Sequence, residues 1–450
     1  MATGVNASEK MGADGPNAAP SAREPYPLPG NEIEPTLAYE ARADERLILA
    51  PLGTTFLEVD QLGQASEARN IDSNSFVLSD NLRAMNSMLG RYAGQFTLAY
   101  LDPPYATGLD FQSRTQRHAY KDSYGSAAYL EFMRRRLILL RELLASDGSL
   151  YVHIGHQMVF HLKLLLDEIF GSQNFRNLIV RKKCSSKNYT RNQYANLNDY
   201  ILFYTRSKTY KWNQPGEEAT QEWIDREYPR VDKKGRYKLV PIHAPGIRAG
   251  ETGKPWRGML PPPGKHWQFT PSKLEELDKK GAMHWSKNGN PRRKVYLSAT
   301  KIRPLTDYWG QFRDAHHQSI EITGYPTEKN LDMLRVIVGA GSDPGDLVMD
   351  PFAGSGTTLQ AANESERRWV GMDASPAAAE AVLKRLRQGS RPMGDYVDAG
   401  KRAPRSLAQR ECVPLRTANE FRFYVDAGFR AEHRAEVNRI ARIKMSASPA

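Results

Sequence analysis

Cysteine is scarce. Only Cys184 and Cys412 carry thiols in 450 residues, too few for a disulfide framework or a cysteine-based zinc site, and in keeping with a reducing compartment. No apolar run approaches the length of a membrane span. The first thirty residues, MATGVNASEKMGADGPNAAPSAREPYPLPG, are rich in Ala, Gly, Pro and Asn and hold no apolar core of the kind a secretory leader needs. They read as disordered. The expectation is a protein of the bacterial cytoplasm without membrane contact.

Acidic residues are in deficit, and the deficit is local. The net charge is +12, yet residues 206–320 alone carry 23 Lys and Arg against 12 Asp and Glu. The same segment holds six of the seven tryptophans: Trp212, Trp223, Trp256, Trp267, Trp285 and Trp309. Basic groups interleaved with aromatics suit a surface that attracts phosphates and stacks on bases. A small domain with a tryptophan core and a solvated basic rim fits the composition equally well.

Outside that segment the chain alternates strands and helices. FVLSD, FTLAYL, SLYVHI, NLIVRKK and DYILFYTRS read as strands, and 127–145 and 157–171 as amphipathic helices. After the basic segment come a helix at 330–341, the strand DLVMDPF, a glycine turn, a short helix and the strand RWVGMDAS. A mostly parallel α/β sheet interrupted by an insertion follows. The tail after about Gln388 is Arg-rich, with a β-like stretch FRFYVDAGF that finds no place in this scheme.

Two places carry chemistry. FTLAYL runs into Asp102, Pro103, Pro104 and Tyr105; two prolines cannot donate to a ladder, so the strand stops in a stiff loop at its carboxyl end. In open α/β sheets ligands bind at that edge. A rigid turn is the plainer alternative. In the second place, DLVMDPFAGSGTTLQAA, the glycines let backbone pass close to a ligand, and Asp373 ends a strand seventeen residues beyond Gly356, placed to accept from two ribose hydroxyls. A dinucleotide site is the competitor, but its Gly-x-Gly-x-x-Gly fingerprint would need glycine where Leu359 stands. The ligand contains adenosine, with less emphasis on pyrophosphate.

Together DPPY and DPFAGSGTT resemble the amino-methylating DNA methyltransferases that use S-adenosylmethionine. DPPY resembles their catalytic motif, and it precedes the cofactor motif by roughly 250 residues, as in the β group. GYPTEKNLDMLRVIV (324–338) resembles the group's Pro-Thr-Gln/Glu-Lys-Pro element at the methionine end of the cofactor, with Asn330 replacing the last proline, a peripheral change. LSDNL (78–82) resembles the element that contacts the adenine of the cofactor. The likeness spans residues 74–385.

The resemblance implies a Rossmann-like seven-stranded sheet, circularly permuted, with Asp102 and Gly354 on neighbouring strand ends. Its parts would be a disordered 1–30, a catalytic half 31–205, a target-recognition insert 206–320, a cofactor half 321–388 and an extension 389–450 of unassigned role. Asp102 and a proline carbonyl would accept hydrogen bonds from an exocyclic amino group, and Tyr105 would stack on the base. Asp80, Asn81, Leu82, Thr327, Lys329, Asp350, Phe352, Gly354, Gly356, Thr357 and Asp373 would hold S-adenosylmethionine, with no metal needed. Arg292, Arg293 and Lys294 are candidates for contact with double-stranded DNA. The expected target is adenine N6, with cytosine N4 as its competitor. RNA or protein-glutamine methylation and a non-catalytic DNA-binding subunit are the other readings, and a homodimer or a restriction or phage-defence partner is left open.

Overall fold

Ser75–Leu78, Phe96–Leu101 and Leu347–Asp350 are buried at every position, and Arg368–Asp373 at its four central ones. Strands without a solvated face need helices on both sides, the arrangement of parallel sheets. The computed structural model describes residues 36–105, 110–112, 118–121, 126–184, 192, 194–298, 302–314, 321–322, 328–388, 391–392 and 421–443. The N-terminal thirty residues, Thr327 and Cys412 lie outside the described residues.

Before the insert the main sheet contains β1 (Phe56–Val59), β2 (Ala65–Ala68), β3 (Ser75–Leu78), β4 (Phe96–Leu101), β5 (Leu144–Ile154), β6 (Phe175–Lys182) and β7 (Asn198–Thr205). The insert has its own strands β8 (Arg230–Asp232), β9 (Gly235–Val240), β10 (Met283–Trp285) and β11 (Pro291–Tyr296). The main sheet resumes with β12 (Tyr308–Trp309), β13 (Leu347–Asp350), β14 (Arg368–Asp373) and β15 (Arg422–Asp426). Its spatial order is β12-β6-β7-β5-β4-β13-β14-β3-β15-β1-β2. From β6 to β3 these are the seven strands expected of the permuted chain. β13 slots between β4 and β14, parallel to both, and β7 runs against β5 and β6.

The sheet is wider than the sequence suggests. The unplaced stretch near the C-terminus is β15, parallel to β3 and antiparallel to β1, so part of the C-terminal extension lies within the main sheet. β12 adds a parallel strand beside β6, so the segment returning from the insert also belongs to this sheet.

Among the described residues the α-helices of eight residues or more are α1 (Asn81–Tyr92), α2 (Ser126–Leu143), α3 (Val159–Phe170), α4 (Pro271–Lys279) in the insert, α5 (Leu331–Gly341), α6 (Thr357–Glu364), α7 (Pro376–Gln388) and α8 (Arg434–Ala441). Strand alternation sorts the core into two layers. Val77, Ala99, Leu101 and Val152 face Met85, Leu137, Leu140 and Leu162 from α1–α3. Phe76, Leu78, Leu98 and Tyr100 face Leu334, Ile337, Leu359, Val382 and Ile440 from α5–α8. Among the described residues no helix is long and apolar enough to cross a membrane.

Within the insert β8-β9-β11-β10 form an antiparallel sheet. Trp256 and Trp267 are buried with Ile242, Leu274 and Met283, and Trp285 packs against them. Trp309 lies in the main core, and Trp212 stacks on Phe203 of β7 with centroids 5.7 Å apart. Of the two readings of the segment, burial of Trp256, Trp267 and Trp309 and the packing of Trp285 favour the tryptophan core, while Trp212 stays exposed. Apolar area drives the buried ones inward.

Candidate active site

Parallel pairing sets Leu98 against Val348 and Ala99 against Met349, so β4 and β13 end side by side. Asp102 follows β4 and Asp350 ends β13. The two line one cleft with Tyr100, Glu328, Lys329, Phe352, Gly354, Ser355, Thr357 and Thr358. The topology thus brings the two sequence motifs together.

The Asp102 carboxylate is asymmetric. Oδ2 lies 2.6 Å from Lys329 Nζ, while Oδ1 is buried and accepts no hydrogen bond among the described residues. Lys329 also sits over the Tyr105 ring, 5.3 Å from its centroid. Lys329, expected on the cofactor side, therefore contacts the DPPY loop. Pro103 is buried, Pro104 and Tyr105 are partly so, and the Tyr105 hydroxyl is buried without a partner among the described residues. Burial, reinforced by Asp102, pushes the Tyr105 hydroxyl far above its ordinary pKa. It stays a neutral phenol.

The glycine loop is held from behind. Gly354 and Gly356 adopt left-handed φ of 50° and 77°, and Gly356 caps α6. Gly354 N–H donates to Asp373 Oδ2 at 3.0 Å and Ser375 N–H to Oδ1 at 2.8 Å. Asp373 thus organises the loop from behind rather than lining the cleft. Burial raises its pKa to about 6 against these backbone hydrogen bonds. Asp350 accepts from Phe352 N–H at 3.0 Å, and burial, with Asp102 and Asp373 nearby, raises it to about 7. Thr357 pairs its hydroxyl with that of Ser355 at 3.0 Å.

Asp80 caps α1 by accepting from Leu82 N–H at 2.8 Å, and its other oxygen accepts from Arg136 at 2.9 Å. Asn81 is buried and donates to the Pro351 carbonyl at 2.6 Å, joining this element to the glycine loop. Asn330, a peripheral departure by sequence, has two tasks. It caps α5 by accepting from Met333 N–H at 3.0 Å and donates to the Arg313 carbonyl at 3.2 Å.

Several residues escaped the sequence reading. Arg385 of α7 is buried and donates to Ser355 O at 2.7 Å, to Gln360 and to Glu328, clamping the glycine loop to the segment before α5. Arg136 lies over the Phe132 ring at 3.5 Å. His153, Asp199 and Arg181 are buried behind the DPPY loop. The available signal was a charged or titratable group inside an otherwise apolar strand or helix face.

The basic run in the insert is divided. On β11 side chains alternate, so Arg292 and Lys294 share one face and Arg293 takes the other. Lys294 pairs with Asp232 at 2.8 Å, and Arg293 lies over the Phe269 ring at 5.2 Å. Arg292 is the exposed member. The three do not form one patch, because a strand has a period of two.

A family model described as DNA methylase matches residues 96–384. The type II methyltransferase M.EcaI of Enterobacter cloacae is 54% identical over 435 residues, 95% of this chain and 94% of its own. The type II methyltransferase M.KpnI of Klebsiella pneumoniae is 27% identical, covering 72% of this chain and 80% of its own. A solved M1.HpyAVI–SAM complex aligns with 69% of this chain and 98% of its own at 16% identity and a TM-score of 0.38. The match across the sheet and both motifs makes the chain a member of the N6/N4 DNA methylase family, a DNA methyltransferase.

Proposed function

We propose that the chain moves a methyl group from S-adenosylmethionine to N6 of an adenine flipped out of duplex DNA. The observation that carries this reading is the divided Asp102 carboxylate, with one oxygen held by Lys329 and the other buried and unpartnered beside the glycine loop. A buried acceptor without a donor is unfavourable unless a ligand supplies one. An exocyclic amino group is such a ligand.

The residues present fit the cofactor. The left-handed glycines leave room for close approach, Asp373 holds Gly354 from behind, and Asp350 adds a carboxyl to the cleft wall. When bound, S-adenosylmethionine supplies an electrophilic methyl on sulfur. Asp102 Oδ1 accepts one N–H of the amino group and the carbonyl of Pro103 or Pro104 accepts the other. Two acceptors localise the nitrogen lone pair and aim it at the donor. Lys329 fixes the carboxylate plane and balances its charge, and Tyr105 offers a ring face to the base. Flipping the base costs a few kcal/mol, which the insert would recover through contacts to the duplex.

Adenine is favoured because Asp precedes the two prolines, where relatives acting on cytosine N4 mostly carry Ser. Residues 206–320 are read as the target-recognition segment on the strength of their charge, with Arg292 the exposed candidate for phosphate or base contact. A restriction nuclease of matching specificity is the partner this reading implies, and co-purification from the native host tests it. For the target atom, DNA modified in a methylation-free host is digested to nucleosides and weighed by mass spectrometry. N6-methyladenine is expected, and N4-methylcytosine in its place would overturn the adenine assignment.

A further inference from the structure

We propose that a buried polar chain, Arg181–Asp199–His153–Tyr100, positions the DPPY loop and ties it to the segment returning from the insert. The proposal rests on the reading of Asp102–Tyr105 as the loop that receives the base.

Each link is on a different strand. The Tyr100 hydroxyl on β4 lies 2.7 Å from His153 Nδ1 on β5. His153 Nε2 approaches Asp199 Oδ2 on β7 at 3.1 Å, off the line of a good hydrogen bond. Arg181 Nη1 on β6 donates to that same oxygen at 2.8 Å. With Nδ1 accepting from Tyr100, the ring proton sits on Nε2 and faces the carboxylate. The His153 ring also stands 6.1 Å from that of Tyr105, so it touches the strand before the loop and the loop itself.

The other end of the chain reaches the insert. Arg181 Nε donates to the Phe312 carbonyl at 2.7 Å, and Nη2 to Asp314 Oδ1 at 2.7 Å. Trp309 pairs with Arg181 in the strand register, and Asp314 N–H donates to the Lys183 carbonyl. The segment 308–314 is thus fastened to β6 by backbone and by one guanidinium. Through the Arg313 carbonyl it also meets Asn330, the neighbour of Lys329. A displacement of this segment would reach Asp102 and Tyr105 from both sides.

Stability alone is a poor explanation for the arrangement. Arg181 and His153 are wholly buried, and a buried ion pair is often no more stabilising than apolar residues of the same volume. It does fix geometry, because each charge tolerates few positions. Burial lowers the His153 pKa despite Asp199, and at Asp199 the neighbouring His153 and Arg181 outweigh burial and hold the carboxyl below its ordinary pKa.

The test uses the full chain, tritiated S-adenosylmethionine and methylation-free genomic DNA, with single-turnover transfer rates, calorimetric cofactor affinity and thermal melting measured together. Asp314→Ala and Asp199→Asn should slow transfer by about ten-fold or more while cofactor affinity stays within about two-fold of the parent. Asp314→Glu, which keeps the carboxylate and sits at a part-exposed position, should recover most of the rate. Should the rate, cofactor affinity and melting point all fall in proportion, the chain is only structural and the proposal is overturned. Parental rates in both the Asp314→Ala and Asp199→Asn variants, with Asp102→Ala inactive, overturn the network alone. Parental turnover by Asp102→Ala overturns the base-loop reading and this proposal with it.

Discussion

Asp102 lines the cleft while Asp373, on another strand, holds the glycine loop from behind, and their losses should separate. Asp102→Ala should nearly abolish methyl transfer yet keep cofactor binding, because Oδ2 meets Lys329 and Oδ1 awaits the base. Asp373→Ala removes the partner of Gly354 N–H and with it the proposed ribose acceptor, and should weaken cofactor affinity about ten- to a hundred-fold. Calorimetry on both variants checks this, and equal weakening would refute the division of roles. Asp350 permits a second prediction. Its pKa, raised to about 7 chiefly by burial, means the folded chain holds a proton there that the unfolded chain has released. Its contribution to stability is present below the ordinary carboxylate pKa and is lost as pH rises through about 7. Asp350→Asn should therefore raise the melting temperature of the ligand-free protein by about 2 °C or more at pH 8 relative to its effect at pH 5. Melts showing the same difference at both pH values would refute a neutral Asp350.

At the scale of elements, Gly356 joins a loop to a helix. Its φ is 77°, and a Cβ there would stand 3.0 Å from Val382 Cγ2 on α7. Gly356→Ala should destabilise the protein by about 1–2 kcal/mol through backbone strain and crowding, and loosen the cofactor as the loop shifts. Denaturant melts together with cofactor titration would reveal either effect. The sequence disclosed such elements well where local pattern and chemistry coincide. DPPY ends a strand because proline cannot pair, and the run from DLVMD into AGSGTT turns because glycine permits it. It was silent on links between elements distant in the chain. Nothing local says that Arg181 will meet Phe312 and Asp314, or that Arg385 will clamp Ser355 to Glu328. FRFYVD could be read as a strand, but its neighbour β3 lies at the other end of the chain. The triplet Arg292–Lys294 misled for a related reason: adjacency in sequence became opposition in space.

Across the whole molecule the positive charge is a field, and its partner is judged by salt. DNA affinity should fall steeply with ionic strength. Arg292→Ala should flatten the logarithmic slope by about one, whereas Lys294→Ala, whose ammonium pairs with Asp232, should leave it nearly unchanged. Filter binding across a salt series distinguishes them, and an unaltered slope for Arg292→Ala would remove that residue from the interface. The two ends of the chain also meet in the sheet. Deleting residues 421–450 uncovers β3 and β1 and removes Phe423, Tyr424 and Val425, all buried, each contributing roughly 1.5–3 kcal/mol. A truncated chain that melts cooperatively at the parental temperature would contradict that account.

The meeting of β3 with β15 has a further consequence, for the ribosome. Ser75 waits for Arg422, roughly 350 residues later, which at about 5–20 residues per second is tens of seconds. For most of that interval β3, and β4 with its DPPY loop, are already made while β13 and β14 do not yet exist, and β15 follows last. Nascent chains must keep these apolar strands from pairing with strangers, so the yield of active enzyme should depend on chaperone supply and growth temperature. An unfinished chain also lacks the glycine loop, so modification should not begin before residues 351–357 are made.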